Sequence, residues 1–114
     1  MEIKRIEIIS MFRVLGKVKL NKVADKPLRN ALIGNHLKMF RVAKENDEYI
    51  ASLQGQFDPG AVKELNEAYQ RYADEVVPIE METVDREAFG DAVASGDIDF
   101  TLGELAVLEP IFNQ

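Results

Sequence analysis

The stretch from Asp25 to Tyr72 limits what this chain can fold into more than any other part of it. Leu28, Leu32, Asn35, Met39, Val42, Asn46, Tyr49 and Leu53 follow one another at alternating spacings of four and three. At about 3.6 residues per turn that is one face of a helix of about seven turns, apolar except at its two asparagines. Asp25 supplies an N-cap, and Pro27 falls in the first turn, where its missing N–H leaves no bond unmade. Ile33, Leu37 and Phe40 form a second apolar stripe beside the N-terminal half, which predicts a half-helix covered on two sides. Gly55 ends the run. Asp58-Pro59 then restarts helix, with Val62, Leu65, Tyr69, Tyr72 and Val76 as a matching stripe. The expectation is an antiparallel helical hairpin.

Residues 3–18 precede it. Ile3, Ile6, Ile8 and Ile9 favour strand by their β-branching, but Ile8, Met11, Phe12, Leu15 and Val18 continue at helical spacing past strand length. The reading is a helix from Arg5 to Lys17, followed by a basic connector, Val18–Lys26. At 114 residues, 46% of them hydrophobic, the chain is read as a single domain, with a helical core over about 4–76 and a smaller cap over 77–114. Cysteine is absent, which removes disulfides, thiolate metal sites and thiol nucleophiles from consideration. Glu2 and Glu7 interrupt the N-terminal apolar residues and no window approaches a membrane span, so the expectation is a soluble cytoplasmic protein with no membrane partner.

Past Glu75 the period changes to two. Val77, Ile79, Met81 and Thr83 alternate with Pro78, Glu80, Glu82 and Val84, which predicts an edge strand. Asp85 caps a short helix carrying Phe89 and Val93, and Ser95-Gly96-Asp97 is turn chemistry. Ile98-Asp99-Phe100 alternates again and is expected to pair with the strand. Thr101 and Glu104 match a capping box, Phe100 and Leu105 a hydrophobic staple, and Pro110 stops the last helix near Glu109. The fold class is therefore mainly α: an N-terminal helix packed on a long antiparallel helical hairpin, closed by a short two-stranded β element and two small C-terminal helices.

Charge is strongly divided along the chain. Residues 1–44 carry eleven Lys and Arg against three acids, a balance of +8, whereas residues 45–114 carry three against seventeen, a balance of −14. Such division points to charged partners, to self-association, or to packing of one half on the other. If the two strand segments pair, Glu80, Glu82, Asp97 and Asp99 gather on one face, a weak candidate for a cation or a basic partner. Ile79 and Met81 with Glu80 and Glu82, and Arg13, Lys17, Lys22 and Arg29 around the connector, are the candidate partner-binding residues. The basic residues lack interleaved aromatic stacking partners and the connector is too long for a helix-turn-helix, which disfavours nucleic acid. The single histidine, His36, lies beside the apolar stripe and is expected to be half-buried and hydrogen-bonded. No catalytic residues and no cofactor-binding loop are identified, so the expectation is a protein that is not an enzyme.

The order of elements resembles a known group: a short helix, a basic connector, a long helix with Asn35 in its first half, a second hairpin arm and an acidic strand. The chain then closes on Ile98-Asp99-Phe100-Thr101-Leu102-Gly103-Glu104-Leu105-Ala106-Val107-Leu108-Glu109-Pro110-Ile111. In this layout it is similar to small uncharacterised proteins encoded by tailed phages and bacterial prophages. The resemblance implies a phage-related origin and transfers no active residue. Together these features predict a non-enzymatic protein–protein interaction module, a phage or prophage accessory or assembly protein that forms a homo-oligomer. The alternatives are a nucleic-acid-associated regulator using the basic half and an acidic inhibitor of a host nucleic-acid enzyme.

Overall fold

The computed structural model describes residues 2–112. Its elements are β1 (Glu2–Lys4), α1 (Arg5–Leu15), α2 (Lys26–Gln56), α3 (Val62–Ala73), β2 (Val76–Pro78), α4 (Arg86–Ser95) and α5 (Leu102–Val107), with short 3-10 turns at Leu20–Lys22 and Glu109–Ile111. The fold is mainly α with a minor two-stranded β element. The 31 residues of α2 extend about 46 Å at 1.5 Å per residue, close to the 50 Å long axis of the molecule. Asp25 caps α2 by accepting from the Leu28 N–H at 2.9 Å, with Pro27 in the first turn. No helix is long and apolar enough to cross a membrane among the described residues.

α1 lies against α2 and sends Ile8, Met11, Val14 and Leu15 into a core shared with Leu28, Leu32, Met39 and Val42. It ends at Leu15, two residues before the expected Lys17, because Gly16 closes the last turn with its N–H on Phe12 O. α3 folds back along the C-terminal half of α2. Asp58, Pro59 and Gly60 form a turn, closed by the Ala61 N–H on Asp58 O at 2.9 Å, so the second arm begins at Val62 and not at Pro59. Its end is locked by aromatic and cationic contacts. Tyr72 stacks on Tyr49 at 3.8 Å, and the Arg5 guanidinium lies over the Tyr72 ring at 3.7 Å while donating to the Tyr72 carbonyl. Val76, expected on the helical stripe, instead opens β2 and is 54% exposed.

The strand pairing differs from the sequence expectation. β2 is Val76–Pro78 and pairs antiparallel with β1, Ile3 opposite Val77, while residues 98–100 form no ladder. The Arg5 N–H donates to Glu75 O at 2.9 Å, so bonded pairs alternate at Arg5/Glu75 and Ile3/Val77. Pro78 falls on the intervening non-bonded pair with Glu2, where the ladder asks for no N–H.

Residues 79–82 do alternate in burial as a strand would, but the period breaks at exposed Thr83, Val84 takes the next core position, and the segment lies on α2 and not in a sheet. Their partner is a helix side chain. Fully buried Asn35 donates from Nδ2 to Glu82 O at 2.8 Å and accepts at Oδ1 from the Glu82 N–H at 2.7 Å. One amide thus supplies both bonds that a neighbouring strand residue would supply. The Val84 N–H is taken by Ile111 O at 3.1 Å, which ties the segment to the chain's last turn.

The C-terminal helices follow their local signals. Asp85 caps α4 through the Glu87 N–H, and Gly96 ends it at φ 87°, a left-handed conformation that side chains disfavour. α5 carries the full reciprocal capping box between Thr101 and Glu104. Phe100 is in the core with Leu105 packed against it, while α5 itself stops at Val107 and Pro110 sits in the 3-10 turn beyond.

Candidate protein-interaction surface

Placing the expected site residues on this fold separates them. Ile79 and Met81 are only 6% and 8% exposed and pack in the core, and Ile79 reaches the surface only as part of a groove wall. The backbone of Glu82 is held by Asn35, so this segment offers no open strand edge there. With 98–100 outside any ladder, Glu80 and Glu82 are not brought opposite Asp97 and Asp99. Asp97 instead accepts from the Ala24 N–H at 3.1 Å, joining the end of α4 to the connector. No three acidic or histidine side chains converge as a metal site among the described residues. The carboxylates that do share a recess are Asp25, Asp85, Glu87, Asp91 and Asp97, between the connector and α4. Asp25, Asp85 and Asp97 there already accept backbone N–H groups.

The basic candidates divide likewise. Lys17 Nζ reaches Glu104 Oε2 at 2.6 Å, a bond that holds the Glu104 carboxyl below its usual range. Arg29 donates to Val23 O at 3.1 Å and braces the connector. Arg13 and Lys22 stay exposed. Part of the charge division is therefore internal packing: Lys17–Glu104 and Arg5–Glu75 both join the basic half to the acidic half.

His36 is half-buried, and its ring stacks parallel on Phe12 at 4.6 Å. Among the described residues its buried Nδ1 has no hydrogen-bond partner, contrary to the expected bonded histidine, and burial lowers the pKa of the ring below the ordinary value.

The surface that sequence reading missed is the outward face of α2. Leu37 and Phe40 were expected to be covered by a second neighbour, yet they are 63% and 52% exposed. The Phe40 ring meets α1 at Phe12, tilted against it at 6.0 Å between ring centres. At 100° per residue the same face continues through Arg41, Lys44, Glu48, Ala51, Ser52 and Gly55, all of them exposed. Beside it runs an open groove of about 650 Å³, with Leu37, Lys38 and Arg41 on the helix side and Pro78, Ile79 and Glu80 opposite. Two large apolar groups framed by three cations, Lys38, Arg41 and Lys44, are suited to an amphipathic acidic surface. The signal was present in the sequence as the second stripe, but periodicity shows that a face is apolar without showing what covers it. Compared with protein-family models, curated proteins and solved structures, the chain has no significant match.

Proposed function

We propose that this protein is a non-enzymatic protein–protein interaction module, and that it binds its partner along the outward face of α2 and the groove beside it. The observation that carries this reading is the exposure of Leu37 and Phe40 among Lys38, Arg41 and Lys44 on a rigid 31-residue helix. Burying two such side chains supplies affinity, at about 25 cal/mol per Å² of apolar surface removed from water. The surrounding cations orient an acidic partner and reject a basic one. A rigid helix presents these groups without the ordering penalty of a loop.

An accessory or assembly role in a phage or prophage is the finer part of the same proposal and comes from the sequence resemblance. Genes for portal, capsid or tail proteins beside this one would support it, and metabolic neighbours would count against it. The binding face itself is tested by photo-crosslinking. A benzoylphenylalanine at position 37 or 40, in cells that express the chain natively, yields a protein adduct that mass spectrometry identifies. The same probe at exposed Glu64 on α3 yields none. Adducts with nucleic acid, or none at either position, would sink the reading.

A further inference from the structure

We infer that the occupant of this face is a second copy of the same chain, its α2 antiparallel to the first about a two-fold axis level with Asn46. This rests on the reading above and adds the partner's identity. The evidence is a reversal of charge along the exposed face. On the seam itself Arg41 and Lys44 lie before the axis and Glu48 after it, and none of the three enters an ion pair among the described residues. Within one helix, a lysine four residues ahead of a glutamate is the less favourable order, so Lys44 and Glu48 are poorly placed to satisfy each other locally. A parallel pairing of two copies would bring cations to cations. Antiparallel pairing sets the basic half of each helix against the acidic half of the other, as a two-fold interface requires of a self-complementary surface.

The side-chain sizes agree with the same register. When Lys44 of each copy stands opposite Glu48 of the other, Leu37 falls opposite Gly55, Phe40 opposite Ser52 and Arg41 opposite Ala51. Large residues meet small ones along the seam, so the helices can approach closely and cover both exposed apolar groups. Glu45 and Asp47 lie about 80° to either side of the seam and point away from it toward solvent. The seam is about 27 Å long at 1.5 Å per residue, which places the contact at the small, reversible end of protein interfaces.

Sedimentation velocity of the whole chain, from micromolar to near-millimolar concentration, tests this with charge reversals at two exposed positions. Wild type passes from monomer to dimer. Lys44→Glu and Glu48→Lys each bring two like-charged pairs together across the axis, and each weakens the dimer by about tenfold or more. An equimolar mixture of the two variants, and the double variant, both recover it, since each arrangement restores two opposite-charge pairs. Circular dichroism confirms that both variants keep the fold. A wild-type monomer at every concentration overturns the inference, as do single variants that dimerise like wild type. A monomer that still gives adducts with a different protein at positions 37 and 40 removes the self-pairing and leaves the interaction reading standing. A monomer with no adducts removes both.

Discussion

Removing the Asn35 amide should undo the docking of residues 79–84 more than its size suggests. Asn35 is fully buried and makes two short bonds to one peptide, 2.8 Å to Glu82 O and 2.7 Å from the Glu82 N–H. A made hydrogen bond contributes about 0.5–1.5 kcal/mol net, but a buried group left without its partner costs about 1–3 kcal/mol. Two groups lose their partner together. The Glu82 side chain is exposed, so water can reach the peptide after a small shift and the cost falls below the full sum. Asn35→Ala is therefore expected to destabilise by about 2–4 kcal/mol, a fall in Tm of about 8–16 °C at roughly 4 °C per kcal/mol for a domain of this size. Asn35→Leu keeps the branched shape of the side chain and restores an apolar residue to the stripe, so it should cost less than Asn35→Ala while still freeing the peptide. Denaturant midpoints measure the first effect, and amide exchange at Glu82 measures the second. An Asn35→Leu variant within about 0.5 kcal/mol of wild type, with Glu82 exchanging as slowly as before, would refute this account of the segment.

Three further outcomes follow from single groups. Burial lowers the His36 pKa, so the unfolded chain binds the proton more readily, and stability present above the unfolded value of about 6.5 should fall as pH drops through the folded value. An NMR titration should place His36 below 6.5, and His36→Phe should flatten the stability profile in that window; a His36 that titrates normally contradicts it. Thr101→Ala removes the cap from α5 and should lower stability by about 0.5–2 kcal/mol, and an unchanged denaturation midpoint would show that α5 is not docked. Asn46 is 1% exposed and its Oδ1 has no partner among the described residues, so Asn46→Leu should raise stability by about 1 kcal/mol or more, and a lowered denaturation midpoint would show that the amide is satisfied.

What could be read from the sequence was whatever has a local cause. The stripe from Leu28 to Leu53, the Asp25 cap and Pro27 define α2 almost to the residue, and the Thr101/Glu104 box marks the start of α5. The strand was misplaced because alternation reports which side chains are buried and not which backbone they pair with. Residues 79–82 alternate because one side of them lies on a helix, and the Glu82 peptide is bonded by Asn35 and not by a strand. An amide within an otherwise apolar stripe was the available sign that some backbone needed satisfying there. Ile3 was hidden for a different reason: a three-residue strand running directly into α1 is too short to leave a period of its own. At the candidate surface, Leu37 and Phe40 were legible as apolar, but their exposure depends on α1 and α3 flanking α2 without closing over that face.

On the reading proposed above, the outward face of α2 recognises a partner, and that partner is a second copy of the chain. Backbone amide chemical shifts followed through a dilution series test it most directly, because they report which residues change environment. The account predicts concentration-dependent shifts confined to Leu37, Phe40, Arg41, Lys44, Glu48, Ala51 and Ser52 and their neighbours, with β1, β2 and α4 unchanged. Shifts that map to the β1–β2 edge or to the recess beside α4, or a spectrum that does not change with concentration, would contradict it.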